Sequence, residues 1–89
     1  GYSQLETGKL KISNRPFELS ELLDNVIGLM NVSVREKHNS LQLIKKSSLS
    51  YWLTGDSGKL HQILINLIGN ANKFTDKGSI TLQVSIHPN

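Results

Sequence analysis

Four polar residues at helical spacing, Gln62, Asn66, Asn70 and Lys73, are the residues whose types and positions could do chemistry. At roughly 100° per residue they share one narrow stripe of a helix, beside its apolar face rather than opposite it. An amide cannot take a proton at neutral pH, so the stripe is suited to binding and positioning a ligand. We expect it to border a groove. The alternative is a solvated polar face on a surface helix.

The helix that carries this stripe departs from its own local preferences. Apolar residues recur at three- and four-residue steps and predict one buried face: Leu60, Ile63, Leu64, Leu67, Ile68, Ala71 and Phe74. Asparagine is a weak helix former, and a glycine such as Gly69 costs about 1 kcal/mol relative to alanine in a helix interior. Departures of this kind without a packing gain indicate functional constraint. The helix is predicted to begin at Asp56 or Ser57, because either side chain can accept hydrogen bonds from free amides of the first turn.

The rest of the chain supplies the elements that must position this helix. A second amphipathic helix is predicted from Leu19 to about His38, with an apolar face of Leu19, Leu22, Leu23, Val26, Ile27, Met30 and Val34. Alternation predicts strands at 10–12, 41–43, 49–53 and 80–86, and residues 14–16 interrupt the chain after the first strand. The order strand, helix, two strands, helix, strand indicates an α/β two-layer sandwich, with helices on one face of a mainly antiparallel or mixed sheet.

Composition excludes several classes of function. The 89 residues suffice for one domain, and no apolar run is long enough to cross a bilayer, which predicts a soluble chain. There is no cysteine, so disulfides and thiolate chemistry are excluded. The net charge of +3 is scattered, with only Lys45 and Lys46 adjacent, and this argues against nucleic-acid binding. Ser57 and His61 lack a third orienting group for a hydrolase site, and the spacing of the histidines does not fit a zinc site.

Residues 55–75 resemble the N box of bacterial-type sensor histidine kinases, the phosphoryl-transfer proteins of two-component signal transduction. The family motif reads Gly-Asp-x-x-(Arg or Lys)-Leu-x-Gln, followed by Asn-Leu-x-x-Asn-Ala-x-Lys-(Phe or Tyr)-Thr. The matching residues here are Gly55, Asp56, Lys59, Leu60 and Gln62, and then Asn66, Leu67, Asn70, Ala71, Lys73, Phe74 and Thr75. Upstream, residues 5–10 resemble the junction that leaves the dimerisation hairpin, and residues 17–22 resemble the entry to the first helix of the ATP-binding domain. The resemblance spans nearly the whole chain.

The resemblance implies a partial Bergerat-type (GHKL) ATP-binding fold. Residues 1–8 would be the end of the hairpin helix and its junction, and residues 9–89 the N-terminal half of the ATP-binding domain. Asn70 would bind Mg²⁺, because this ion accepts an amide oxygen together with triphosphate oxygens and water. Asn66 would help to arrange the phosphates, and Lys73 would place a point charge near them. Phe74 matches a position near the nucleotide base, although its periodicity first predicts core packing, and Asn72 receives no role.

The implied reaction is transfer of the γ-phosphoryl group of Mg·ATP to a histidine of the dimerisation and phosphoacceptor domain of the same protein. The resemblance also implies a response regulator receiver domain as a partner. Related ATPases carry glutamate where this chain has Asn66, so the amide favours transfer over hydrolysis. The neighbouring residues of His38, His61 and His87 do not match the motif around the family's phosphoacceptor histidine, and all three are predicted to lie on the surface. The Asp-x-Gly-x-Gly motif and the lid that would follow residue 89 are not in the chain, so it is expected to be inactive alone.

Two other interpretations stay open: a non-catalytic interaction module, and a fragment of a GHKL-type ATPase. The resemblance implies a cytoplasmic domain and leaves open whether the parent protein is anchored in the inner membrane. The strand at 80–86 would lack neighbours that complete the fold, so its open edge predicts self-association between chains.

Overall fold

The computed structural model describes residues 14–46 and 52–87 and arranges them as two helices and four strands. In chain order these are β1 (Arg15–Glu18), α1 (Leu19–Glu36), β2 (Ser40–Lys45), β3 (Trp52–Gly55), α2 (Ser57–Phe74) and β4 (Ser79–Val84). This is the predicted order of elements. Neither described helix is long and apolar enough to cross a membrane.

The first described strand lies where the sequence predicted an interruption. The strand expected at 10–12 falls outside the described residues, whereas β1 begins at Arg15 and includes Pro16. Among the described strands β1 pairs only with β3, in antiparallel register, with Phe17 opposite Leu53. A strand with one unpaired edge tolerates proline, because the missing N–H need not serve a second neighbour. The prediction that residues 14–16 interrupt the chain was therefore wrong for Arg15 and Pro16, which belong to β1.

A parallel pair of strands, β2 and β4, forms the other described ladder. Leu41 lies opposite Ile80, and Leu43 opposite Leu82. Parallel neighbours need a long crossover connection, and here the connection contains β3 and α2. With one antiparallel and one parallel pair, the strand pairing is mixed and the fold is α+β, as predicted.

Residues from both helices and from β4 form the core. Its buried apolar members are Leu19, Leu23, Val26 and Val34 of α1, Leu64 and Ile68 of α2, and Ile80 of β4. The remaining members of the predicted apolar face of α1 are half-buried against this cluster, so that face is confirmed in full. Along β4 the exposed Ser79 and Thr81 alternate with the core-facing Ile80, as the period-2 pattern predicted.

Helix α2 buries a different arc from the one predicted. Ile63, Leu67 and Phe74 are exposed to 55%, 56% and 80%. The buried arc runs instead through Leu64, Ile68 and Asn72, which are four residues apart and therefore lie on the same side of the helix. The prediction of one apolar face was wrong for the three exposed residues, because α1 and β4 cover only the side that contains Leu64 and Ile68.

The helix ends follow ordinary capping chemistry. Asp56 caps α2 by accepting a hydrogen bond from the Lys59 amide at 3.0 Å, which confirms the predicted start. Glu18 caps α1 in the same way, with the Glu21 amide at 2.9 Å. Helix α1 ends at Glu36, two residues before the predicted end, and His38 lies beyond it with a positive φ of 63°.

Candidate functional site

The four polar residues of the predicted stripe all lie on the outer face of α2. Gln62, Asn66, Asn70 and Lys73 are each exposed. The Gln62 Nε2 group donates a hydrogen bond to Asn66 Oδ1 at 3.0 Å. This bond engages the carbonyl oxygen of Asn66, so its amide N–H groups are the donors presented to a ligand. The arrangement suits contact between Asn66 and an anionic oxygen.

Asn70 lies one turn further along the same face. Within residues 14–46 and 52–87 its side chain makes no hydrogen bond, so its amide oxygen can accept from or coordinate a ligand. No group of three or more His, Cys, Asp or Glu side chains able to hold a metal occurs among the described residues. A single amide oxygen is a ligand that Mg²⁺ accepts where water and phosphate oxygens complete its shell.

The last turn of α2 presents Lys73 and Phe74. The Lys73 ammonium lies 5.5 Å from the centroid of the Phe74 ring, within the range of a cation–π contact. Both side chains are exposed, so the core packing that the sequence predicted first for Phe74 is wrong. The physical reason is its position as the final residue of the helix, beyond the arc that α1 covers. Its exposed ring is free to meet a planar ligand.

Asn72, to which the sequence assigned no role, faces the opposite way from the stripe. It is 8% exposed, and its Oδ1 atom accepts a hydrogen bond from Nδ2 of Asn39 at 2.8 Å, while its own Nδ2 donates to the Ser33 carbonyl at 3.3 Å. The i, i+4, i+8 spacing from Leu64 and Ile68 was the signal that places it on the buried side. The apolar pattern does not reveal that Asn72 is buried, because that pattern includes apolar residues alone.

Asn39 and Lys37, just beyond α1, complete this contact with the end of α2. Asn39 Nδ2 also donates to the Thr75 carbonyl at 2.9 Å, and Asn39 Oδ1 accepts from the Gly78 amide at 2.8 Å. The Lys37 ammonium donates to the carbonyls of Asn72 at 2.8 Å and Lys73 at 3.1 Å. These carbonyls belong to the last turn, where the regular helical donors are missing and Asn72 has only a long backbone bond from the Thr75 amide at 3.4 Å. A cation there also opposes the helix dipole.

An open cleft lies near the start of both helices, away from the stripe. Its lining includes Phe17, Glu21 and Trp52 and none of the four candidate residues. Trp52 is exposed on β3. His61 is half-buried in this region, with Nε2 at 2.9 Å from Asn25 Oδ1 in a solvent-exposed contact, and so lies at the surface as predicted.

Comparison with known proteins identifies relatives of the chain as a whole. No family model matches it. "Probable histidine kinase 4" of Oryza sativa subsp. japonica is 38% identical over 84 residues, which are 94% of this chain and 8% of that protein. "Signal transduction histidine-protein kinase BarA" of Escherichia coli (strain K12) is 42% identical over 83 residues, which are 93% of this chain and 9% of that protein. The chain thus spans less than a tenth of the length of these two relatives.

Solved structures show the same kinship in the fold. The catalytic domain of histidine kinase ThkA superposes with a TM-score of 0.77 at 23% identity, over 85% of this chain and 50% of that one. ThkA in complex with response regulator protein TrrA superposes with a TM-score of 0.75 at 24% identity, over 93% of this chain and 25% of that one. The resemblance to histidine kinases that residues 55–75 predicted is therefore confirmed, and the chain has the fold of about half of a histidine kinase catalytic domain.

Proposed function

We propose that this chain is the N-terminal half of the ATP-binding domain of a two-component sensor histidine kinase, in which α2 supplies one side of the Mg·ATP site. Its match to about half of the ThkA catalytic domain supports a half-domain. In the same proposal, residues 1–8 are the end of the dimerisation hairpin and its junction, and residues 9–89 are the half-domain. The observation that carries the proposal is the exposed stripe on α2, which presents an amide oxygen, amide donors and an ammonium group on one face.

Each candidate residue has a distinct task in this site. Asn70 coordinates Mg²⁺ through Oδ1, and the bound ion offsets charge on the triphosphate. Asn66 donates from Nδ2 to a phosphate oxygen, since Gln62 already engages its Oδ1. Lys73 places its ammonium beside the phosphates, and Phe74 offers its exposed ring to the nucleotide base. These residues bind and orient ATP, and none of them takes up or releases a proton during the reaction.

The proposed reaction of the parent protein is transfer of the γ-phosphoryl group of ATP to a histidine imidazole on its dimerisation and phosphoacceptor domain. Positioning and charge stabilisation dominate such in-line transfers. At Asn66 an amide cannot accept a proton from water, so hydrolysis lacks a base there. ThkA has been seen in complex with a response regulator, which supports a receiver domain as the next partner. We place this domain in the cytoplasm.

The chain by itself is proposed to be inactive. The stripe forms one side of the proposed ATP site. Three apolar side chains beside it, Ile63, Leu67 and Phe74, remain exposed in the described structure. Exposed apolar surface next to polar ligand groups is typical of a site that another segment completes. The same exposed surface also favours a second candidate function, a non-catalytic module that docks on a partner through α2.

Binding measurements on the whole kinase that contains this chain test the proposal. Asn70→Ala should weaken Mg·ATP binding by at least about tenfold, equivalent to one contact with a charged group, and should abolish the dependence of binding on Mg²⁺. Asn31→Ala is the matched control, because it removes an asparagine from α1 rather than from the stripe. Titration calorimetry with and without Mg²⁺ measures both quantities.

The outcomes separate the candidates. Mg²⁺-dependent binding that survives Asn70→Ala refutes the role of Asn70. Absence of any Mg²⁺-dependent ATP binding by the whole protein indicates the docking module. Release of free phosphate without an acid-labile phosphohistidine indicates a GHKL-type ATPase. Formation of phosphohistidine that Asn70→Ala abolishes and Asn31→Ala preserves supports the kinase.

A further inference from the structure

Two asparagines are the only buried polar residues in the described part of the chain, and they bond to each other. Asn39 is 6% exposed and Asn72 is 8% exposed. Both amide hydrogens of Asn39 are used, one by Asn72 Oδ1 and one by the Thr75 carbonyl, and its oxygen accepts from the Gly78 amide. No buried side-chain nitrogen or oxygen among the described residues lacks a partner. A fully satisfied buried network of this kind fixes one arrangement of the segments it joins.

The segments joined here are the end of α1, the last turn of α2 and the turn that leads to β4. The segment from Asn72 to Thr75 is held at four points: the Asn72 side chain, and the carbonyls of Asn72, Lys73 and Thr75. Every one of these bonds comes from Lys37 or Asn39. A helix end without such partners frays, because its last four carbonyls have no intrahelical donor. Lys73 therefore projects from a backbone whose place relative to α1 is fixed.

We propose that Asn72 is a positioning residue for the nucleotide site: through its bond to Asn39 it holds the last turn of α2 so that Lys73 meets the phosphates of ATP. The inference rests on the proposed function and assigns Asn72 a part in it without contact to ATP, because its side chain is buried on the side opposite the stripe. An apolar residue could fill the same space. It could not bind Asn39 or the Ser33 carbonyl, so the last turn would keep its backbone contacts with Lys37 and Asn39 but lose the side-chain bonds that fix Asn72 itself.

A binding cycle in the whole kinase tests this inference. Asn72→Leu and Lys73→Met are made alone and together, and the Kd of Mg·ATP is measured for all four proteins. If Asn72 acts through Lys73, Asn72→Leu weakens binding about three- to tenfold when Lys73 is present and by less than about twofold in the Lys73→Met background. Ile68→Val serves as the control, because it loosens a buried contact of the same helix without touching Asn39 or Lys37. Its effect should be equal in both backgrounds.

Three results would overturn the inference. An equal loss from Asn72→Leu in both backgrounds means that Asn72 only stabilises the fold, and leaves the proposed function standing. Unchanged ATP affinity in Asn72→Leu refutes the positioning role directly. Unchanged affinity in Lys73→Met shows that Lys73 does not contact the phosphates, and the inference then fails. The proposed nucleotide site is tested separately by Asn70→Ala. If Asn72→Leu does not fold, Asn39→Ser removes the bond to Asn72 from the α1 side together with the bonds to Thr75 and Gly78, so its loss of ATP affinity should be at least as large and should likewise shrink in the Lys73→Met background.

Discussion

Replacing Lys37 with methionine isolates the contribution of one side chain to the end of α2. The ammonium donates to two carbonyls, the nearer at 2.8 Å in a partly buried setting and the other at 3.1 Å in an exposed one. Hydrogen bonds to charged groups contribute about 1.5–3 kcal/mol when shielded, and a cation at a helix C-terminus contributes about 0.3–1 kcal/mol when exposed. Because Lys37 lies between these limits, we expect Lys37→Met to lower the free energy of unfolding by about 1–2 kcal/mol.

Urea unfolding followed by far-ultraviolet circular dichroism measures this loss. With a denaturant slope of about 1.5 kcal/mol per molar urea, the expected change lowers the unfolding midpoint by about 1 M. The slope itself should not change, because methionine retains most of the apolar stem of lysine and the folded core is untouched. Part of the loss should disappear at high salt, since the contact with the helix dipole is screened.

Lys46→Met provides the matched control. Lys46 follows β2, is exposed and is linked to β4 through its backbone amide, so the same change in net charge occurs without loss of a helix cap. We expect its midpoint to stay within about 0.3 M of the parent value, as for an ordinary surface substitution. Equal midpoints for the two variants would refute the reasoning, because the two bonds to the α2 carbonyls would then contribute nothing.

Three further predictions concern the core, the strand edge and the chain in isolation. Leu23→Ala, at a buried position, should cost about 2–5 kcal/mol of unfolding free energy, whereas Leu29→Ala at an exposed one should cost less than about 1 kcal/mol; urea unfolding of both variants checks the difference. The chain should self-associate through β4 at high concentration, and Gln83→Lys should reduce the mass seen by light scattering; a strictly monomeric parent contradicts this. The chain alone should show no micromolar ATP binding by calorimetry, and measurable binding would contradict the proposal that another segment completes the site.

Helix α1 could be predicted because the residues of its apolar pattern are the residues that the rest of the fold covers. Seven apolar residues at three- and four-residue steps define a wide stripe, and the described structure buries or half-buries every one of them. Strand β1 was missed for the opposite reason. Pro16 is a strong local signal against a strand, and only the knowledge that β1 has a single partner among the described strands overrides it. Pairing between distant strands is information that local patterns do not contain.

Helix α2 shows what a sequence pattern can and cannot predict. Periodicity predicted the helix, its cap at Asp56 and the shared face of the polar stripe. It did not predict which apolar residues would be covered, because Ile63 and Leu67 satisfy the helical period as well as Leu64 does. Coverage depends on where α1 and β4 pack. The assignment of Asn66, Asn70 and Lys73 to Mg·ATP came from the family resemblance and stays a prediction until binding is measured.

The three asparagines of α2 differ in what offsets their cost to the helix. Each is a poorer helix former than alanine by up to about 0.7 kcal/mol. Asn72 points into the structure, and its two side-chain bonds to Asn39 and Ser33 account for its presence. Asn70 and Asn66 lie on the exposed side, where Asn66 has only the bond from Gln62 and Asn70 has none to the described residues. Folding of the described elements therefore gives no reason for an asparagine at position 70. If the proposed function is correct, a bound cation with its phosphates would supply the compensating free energy through the exposed amide oxygen of Asn70.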